Sequence, residues 1–473
     1  MSVLKNLRIE DLKNKKILVL GLSTTGFAAA KFLLRAGADC FLSDSKDFPK
    51  DPDDIKKAEF LKENGAKLEF KGHTEDFIKN AEFCILSPSI PPESEVLRLL
   101  DKLDIPYFSD LEIAYNFKPK TSKIVTITGT NGKTTTTMLT SYILGAKFTA
   151  PATGNVGVSP LDYLCPESFG ASGIQTAPDF LVIEASSYQL HYTNAFSPDM
   201  AVFCNLTPDH INWHKTIENY FLDKAKMYQR MDENQHAILN LNDNMVKNIK
   251  TDATIHFFAL EDKYDELLKT GQKAISAYIK DGKIFYGDEE IISKDEVPIV
   301  GSHNLQNVMC AIISAKISGL DNKLIKERII SFKAPNHRCE LITTKNGISY
   351  YNDSKATNPE ASIVAIGAFE GKKVALIAGG RDKNTSLAEF SKLIKEKIDK
   401  VILIGEAAER FNIALKEAGF NNIVFADTLE CAIQKAEEGN PDVVLFSPAC
   451  ASFDMFKNYE VRGDAFRSYV LSR

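Results

Sequence analysis

Short apolar runs separated by amphipathic stretches recur along the whole chain, which is the pattern of parallel α/β units. Ile17-Leu18-Val19-Leu20 reads as a strand, Phe27 to Leu34 as the helix after it, and Cys40-Phe41-Leu42 and Phe83-Cys84-Ile85-Leu86 as further strands. The alternation starts again at Ile124-Val125-Thr126-Ile127 and continues through Phe180-Leu181-Val182-Ile183 and Met200-Ala201-Val202-Phe203. A helical stretch then runs to Tyr228. Residues from about 270 to 300 read as a hairpin turning at Lys280-Asp281-Gly282-Lys283, because Asp-Gly supplies the positive φ values that a tight turn needs. A helix from His303 to Ser318 follows. Strands resume at Val374–Ile377, Val401–Ile404 and Val443–Phe446.

The polar link Lys118-Pro119-Lys120-Thr121-Ser122 and the break at Pro335 divide this series. Residues 1–120, 121–333 and 334–473 are expected to be three α/β domains. The first and last read as Rossmann-like and the central one as P-loop ATPase-like. Pro166–Pro178 reads as an exposed loop insertion. A chain of 473 residues is too long for one core, which agrees with several domains.

With 44% hydrophobic and 25% charged residues, each domain can bury a core without disulfides. The net charge of −6, with no Lys/Arg block, argues against nucleic acid as the main partner. The eight cysteines are scattered without metal-type spacing, which suits a reducing compartment. The first sixteen residues lack the apolar stretch of a signal peptide, and no run approaches the roughly 20 apolar residues that span a bilayer. A cytoplasmic protein with no membrane partner is expected.

The strongest chemical signal is Gly129-Thr130-Asn131-Gly132-Lys133-Thr134-Thr135 directly behind a strand. Glycines let backbone N–H groups turn toward phosphate oxygens, and the helix start adds positive potential. Lys133 can reach the β- and γ-phosphates, and the hydroxyl of Thr134 or Thr135 can hold Mg²⁺. Counted from Gly129, the loop is shorter than the usual GxxxxGK[ST]. By itself it names a nucleotide phosphate and no reaction.

Gly21-Leu22-Ser23-Thr24-Thr25-Gly26, with Asp44 downstream, resembles a dinucleotide fingerprint. Ser23 replaces its middle glycine and would crowd a pyrophosphate, so another nucleotide or diphosphate fits better than NAD. Glu184 ends a strand, where an acid can ligate Mg²⁺ or simply stand exposed. His210 follows the next strand, and packing is the reading for Trp213 and His214. Lys224, Lys226 and Arg230 on a helix read by default as a solvated charged face. Asn352–Asn358, Gly379–Lys383 and Ser447–Asp454 each follow a strand in the last region, at the edge where open α/β sheets bind ligands.

Together these motifs resemble the Mur ligases, which extend the UDP-muramoyl precursor of peptidoglycan. The resemblance keeps its order along the whole chain: Gly129–Thr135, Gly154-Asn155-Val156-Gly157, Glu184–Ser187, Asp209-His210, Lys224, Gly301–Asn304 with Asn307, His337-Arg338, Asn352–Asn358 and Gly379–Lys383. Ser447 to Gly463, SPACASFDMFKNYEVRG, is most similar to members that add D-glutamate. No Asp-Asn-Pro-Arg-like run, expected of members adding a diamino acid, is present.

The resemblance implies ATP, two Mg²⁺ ions, UDP-N-acetylmuramoyl-L-alanine and D-glutamate as ligands of a monomer. ATP would lie on Gly129, Thr130, Asn131, Gly132, Lys133, Thr134 and Thr135, with Asn304, Asn307, Arg338 and Asp353. Thr134, Glu184, His210 and Lys224 would serve the metal. Lys224, four residues after Tyr220, would be carbamylated, which turns a cation into a carboxylate-like anion. Lys133, His210 and Lys224 would be catalytic. Thr24, Thr25, Ser45, Lys46, Ser89 and Asn155 would hold the UDP substrate. Ser89 stands where the family usually has Gly, and Lys46 where Arg is more usual, replacing a bidentate fork by a point charge. Lys355, Thr357, Lys383, Ser452, Phe453 and Tyr459 would form the D-glutamate pocket, where Lys383 suits an acidic side chain.

The implied reaction activates a carboxylate as an acyl phosphate, which an amine then attacks; closure of the third domain would keep water out. The alternatives are a related ligase with another amino acid, or a P-loop switch or transport ATPase. A dehydrogenase is the weakest of them.

Overall fold

A computed structural model describes Leu4 and residues 7–164, 177–382 and 384–473. Among these the strands form three sheets of five, nine and six. Lys383 and most of the Pro166–Pro178 stretch lie outside the described residues.

The first sheet comprises β1 (Lys16–Leu20), β2 (Asp39–Asp44), β3 (Lys67–Phe70), β4 (Phe83–Leu86) and β5 (Tyr107–Phe108), in the order β3-β2-β1-β4-β5. All its pairings are parallel. This is the doubly wound arrangement, with its switch of direction beside β1. Alternation along β1 explains why the run is apolar throughout. Ile17 and Val19 enter one core with Phe32, Leu33 and Phe108, while Leu18 and Leu20 enter another with Cys84 and Leu97. Both faces are covered, so no position is left polar.

The second sheet comprises β6 (Lys123–Thr128), β7 (Ala152–Gly154), β8 (Phe180–Glu184), β9 (Met200–Phe203), β10 (His236–Asn240), β11 (Thr254–Ala259), β12 (Ala277–Lys280), β13 (Lys283–Tyr286) and β14 (Glu289–Ser293). Their order is β14-β13-β12-β11-β10-β9-β6-β8-β7. The antiparallel pair β12–β13 turns at Asp281 (φ 48°) and Gly282 (φ 72°), as the Asp-Gly signal predicts. β6 lies between β8 and β9, so the loop after it is flanked by the carboxyl ends of both.

The third sheet comprises β15 (Glu340–Lys345), β16 (Ile348–Asn352), β17 (Val374–Gly379), β18 (Lys400–Ile404), β19 (Ile423–Phe425) and β20 (Val443–Phe446), in the order β15-β16-β20-β17-β18-β19. Apart from the β15–β16 hairpin its pairings are parallel.

The chain divides into two compact units, Met1–Ile292 with Gln306–Arg328, and Ser293–Leu305 with Ile329–Arg473. Within the first unit, the helix Asp110–Phe117 fastens the first sheet to the second. The buried Glu112 carboxylate accepts the backbone N–H groups of Asn194, Ala195 and Phe196 at 2.8–3.0 Å. Asp110, two residues earlier, accepts from Gln189 Nε2 at 3.0 Å. Three amides converging on one buried carboxylate satisfy it without a cation. Among the described residues no helix is long and apolar enough to cross a membrane.

Candidate active site

Strand β6 runs straight into the glycine loop, and the helix Lys133–Leu144 starts behind it. Gly132 is the N-cap of that helix with φ 79°, and a Cβ there would stand 2.5 Å from Asn307 Oδ1. Gly129 (φ 153°) is equally confined, since a Cβ would meet Cys204 Cβ at 3.0 Å. The loop is pinned from the β9 side. Asn205 accepts from Thr130 N through its carbonyl and from Asn131 N through Oδ1, both at 2.9 Å. Lys133 arches back over the loop, donating to the carbonyls of Gly129 (2.9 Å) and Thr130 (2.8 Å). Positive charge thus stands at a helix start, where anions are favoured.

The β8 side supplies the acid. Thr134 Oγ1 donates to Glu184 Oε2 at 2.7 Å, and Glu184 Oε1 accepts from Asn155 Nδ2 at 2.9 Å. Glu184 is 2% exposed. Asn155 can approach because Gly154 (φ 85°) carries no Cβ, which would otherwise lie 2.3 Å from the Glu184 carbonyl.

Lys224 reverses its default reading. It is buried rather than solvated; Nζ donates to the Gly129 carbonyl at 2.9 Å and lies 4.6 Å from the centre of the Tyr220 ring. Burial, and then the charge of Lys133, hold its pKa well below that of an ordinary lysine. The helix ends at Ala225, so the expected charged face is not shared: Lys226 opens a short 3-10 turn and is half-buried, and Arg230 lies beyond it in a turn, exposed. His210 adopts the left-handed conformation (φ 55°), and its ring packs 5.0 Å from that of Tyr188. Burial lowers its pKa, assisted by Lys224 and Lys133 against the opposing charge of Asp209.

Among the described residues no group of three or more His, Cys, Asp and Glu side chains is placed to hold a metal ion. Mg²⁺ does not require one, because it keeps several waters and takes one or two carboxylates plus phosphate oxygens. The hydroxyl–carboxylate pair of Thr134 and Glu184 beside the glycine loop fits that demand.

Three cavities of the first unit bear on this centre, one of them sharing Asn155 with it and the other two lying among the loops of the first sheet. One, of about 330 Å³, is lined by Thr24, Thr25, Ser89, Asn155, Ser186 and Tyr188 among others. A second, of about 430 Å³, includes Asp44, Ser45, Lys46, His73 and Ser89. The third, again about 330 Å³, continues past Lys46 to Phe48 and Phe70. All six residues expected to hold the UDP substrate line one or more of these cavities. Asp44 shapes the wall, accepting from Leu22 N at 2.7 Å and Lys46 N at 2.9 Å. Ser23 caps the first helix and shares a 2.7 Å hydrogen bond with Ser87. Its hydroxyl therefore occupies the space that a middle glycine would leave open.

In the second unit the neighbouring strands β16, β20 and β17 bring three polar runs to one edge of the sheet. Arg462, 1% exposed, ties two of them together. It donates from Nε and Nη2 to the Ser354 hydroxyl and carbonyl (3.0 and 2.8 Å), and from Nη1 to the carbonyls of Cys450 and Ala451 (3.0 and 3.1 Å). Lys355 Nζ sits 3.8 Å from the centre of the Tyr459 ring. Ser452 is buried, Thr357 is half-buried and Phe453 is 67% exposed. Asp353 is buried, with Oδ1 accepting from Cys339 N (3.0 Å) and Oδ2 from the Ser447 hydroxyl (2.7 Å). Arg338 is half-buried on the loop before β15, and Asn304 Nδ2 donates to the Val300 carbonyl at 2.7 Å. Asn307, one turn along the same helix, belongs to the first unit, where Oδ1 accepts from Thr136 at 2.9 Å.

Comparison with known proteins supplies the remaining observation. The family models for the Mur ligase MurD-like N-terminal domain, the Mur ligase middle domain and the Mur ligase glutamate ligase domain match residues 15–108, 127–315 and 337–450. Proteins named UDP-N-acetylmuramoylalanine--D-glutamate ligase are similar over nearly the full length. That of Thermoanaerobacter pseudethanolicus is 37% identical, covering 97% of this chain and 99% of its own. That of Streptococcus thermophilus is 37% identical, covering 98% of each. The chain belongs to the Mur ligase family.

The Mur ligase fold is seen too in a MurF structure from Acinetobacter baumannii, with a TM-score of 0.56 at 15% identity over 91% of this chain and 90% of that one. UDP-N-acetylmuramate-alanine ligase from Thermotoga maritima gives a TM-score of 0.54 at 16% identity, over 97% and 99%.

Within this Mur ligase, sequence reasoning passed over Arg462, although it is the only arginine in Ser447–Gly463. It also passed over His73, which follows β3 at the sheet's ligand edge, and over Asp223, which bridges His191 and His214. For Asp223 no local signal existed, because its partners lie on other elements.

Proposed function

We propose that the chain joins D-glutamate to UDP-N-acetylmuramoyl-L-alanine in peptidoglycan precursor synthesis, with cleavage of ATP to ADP and phosphate. One observation carries this reading. The hydrogen-bonded series Thr134–Glu184–Asn155 connects the phosphate loop to the wall of the cavity that also holds Thr24, Thr25 and Ser89. A nucleotide's γ-phosphate and a substrate carboxylate can therefore meet at one place.

In this reading the alanyl carboxylate attacks the γ-phosphorus of ATP and ADP leaves, producing an acyl phosphate. The D-glutamate amine then attacks the acyl carbon, and phosphate departs as the amide forms and the amine loses its proton. Lys133 and the helix start behind it offset the repulsion between the two anions. Thr134, Glu184 and His210 would hold Mg²⁺, which supplies further charge neutralisation at the phosphates. Lys224, kept from ordinary protonation by burial, would add CO₂ and release a proton, becoming the carbamate that serves a second Mg²⁺. Asn304, Asn307, Arg338 and Asp353 would serve the nucleotide. Lys355, Thr357, Lys383, Ser452, Phe453 and Tyr459 would receive D-glutamate.

We assign these roles to parts bounded at 1–120, 121–333 and 334–473. One chain carries every proposed residue, so a monomer suffices. Cysteines unpaired among the described residues suit the reducing cytoplasm. The test is phosphate release with ATP, the UDP precursor and, in turn, D-Glu, L-Ala, L-Lys or meso-diaminopimelate. Turnover confined to D-Glu and absent in Lys133→Ala is expected; turnover with another amino acid refutes the specificity.

A further inference from the structure

Three segments carry the residues assigned above to cation and phosphate: Glu184 to Ser187, Asp209 to His214, and the helix Ile217–Ala225 that bears Lys224. One line of hydrogen bonds, from Ser187 through His214 to Asp223, joins all three. His214 Nε2 is 2.9 Å from Ser187 Oγ, and His214 Nδ1 is 2.8 Å from Asp223 Oδ2. Asp223 Oδ1 is in turn 2.8 Å from His191 Nδ1. Ser187 and His214 are 2% and 3% exposed. Tyr188 stacks on the His214 ring (5.5 Å, 11° between planes), and its ring centre lies 5.0 Å from that of His210.

The chemistry of the groups sets the direction of the line. A carboxylate can only accept, so His214 donates from Nδ1 to Asp223. In the neutral imidazole Nε2 is then bare and accepts the Ser187 hydroxyl proton. One tautomer satisfies every partner.

We propose that Ser187, His214 and Asp223 form a positioning relay that holds Glu184, His210 and Lys224 in register with one another. The inference rests on the proposed function, in which those three residues hold the cations. The relay residues are proposed as positioning residues: Ser187 lies three residues from Glu184, His214 four from His210, and Asp223 directly before Lys224. Partners of this kind affect metal affinity or activity by about 10- to 100-fold. The molecule also carries its own reporter. Trp213, the only tryptophan in the chain, lies 4.4 Å from the His214 ring and 4.9 Å from Tyr188.

The experiment compares wild type with Asp223→Asn, Ser187→Ala and His191→Ala, using Mg²⁺ with ADP as the probe. Asp223→Asn keeps the shape but presents an amide N–H₂ to one histidine. It is expected to shift the Mg²⁺ midpoint of Trp213 fluorescence upward about tenfold and to lower kcat at least tenfold. KM for the UDP precursor should stay within twofold of wild type. Ser187→Ala should move both quantities in the same direction by less, and His191→Ala, which leaves the line intact, should move neither. Wild-type kcat and Mg²⁺ midpoint in Asp223→Asn overturn the relay, as does a loss of KM, kcat and melting temperature together. If Glu184→Gln is inactive while Asp223→Asn works at full rate, the relay fails and the proposed function stands. A wild type without ligation fails the proposed function itself.

Discussion

The ammonium-bearing end of Lys224 donates to the carbonyl oxygen of Gly129 at 2.9 Å, ninety-five residues earlier in the chain. A lysine in that position carries little of an exposed lysine's chemistry. It is desolvated, and burial together with the nearby charge of Lys133 holds its pKa well below that of an ordinary lysine.

The first prediction concerns that amine. Enzyme prepared free of CO₂ should lose most of its activity and regain it with added bicarbonate. Lys224→Arg, which keeps a cation and cannot form a carbamate, should be inactive by about 100-fold or more, the scale at which single electrostatic groups act in such sites. Initial rates and a ¹³C signal from labelled bicarbonate report both effects. A rate indifferent to CO₂ removes the carbamate from the mechanism.

Gly132→Ala should be costly for two separate reasons. The residue has φ 79°, and the new Cβ would press on Asn307 Oδ1 at 2.5 Å. A loss of about 1–3 kcal/mol in urea unfolding is expected, with at least tenfold weaker ADP binding. Normal ADP affinity would mean that the loop tolerates a side chain.

Arg462→Lys retains the charge and loses the fork. One ammonium cannot serve the Ser354 hydroxyl and carbonyl together with the carbonyls of Cys450 and Ala451. We expect a destabilisation of about 2–4 kcal/mol and a raised KM for D-glutamate. KM for the UDP precursor should remain unchanged, and steady-state kinetics distinguish the two.

Asp353 gives a pH signature. Burial raises its carboxyl from 3.8 to about 7. Between about pH 4 and pH 7 the folded state keeps a proton that the unfolded state has released. This group's contribution is therefore fully present below pH 4 and lost as pH rises through 7. Asp353→Asn should flatten the fall in stability between pH 5 and pH 8 by about 2–3 kcal/mol. Chemical denaturation at the two pH values tests this, and an unchanged slope in the variant contradicts it.

The strands around the glycine loop were legible because each is a mostly apolar run rich in β-branched residues, as a strand covered on both faces demands; the buried Thr126, Thr128 and Glu184 are the polar exceptions. The turn at Asp281-Gly282 was legible because its backbone angles exclude most residues. Lys224 was not. On a helix of mixed charge it reads as a solvated residue, and only the packing of Tyr220, the Thr128 hydroxyl and the Gly129 carbonyl around it reveals otherwise. Trp213 and His214 read as packing, yet His214 carries two side-chain hydrogen bonds.

By itself, then, the sequence determined which elements form and which strand-to-helix loops have the glycine pattern of a phosphate site, since period, glycine placement and strand ends are local properties. The order of the strands, the burial of Lys224, the joining of Thr134 to Glu184 and Asn155, and the lock made by Arg462 were decided only by the tertiary structure. Each depends on groups separated by tens of residues or more. Their hydrogen bonds gain strength only once folding has removed them from water.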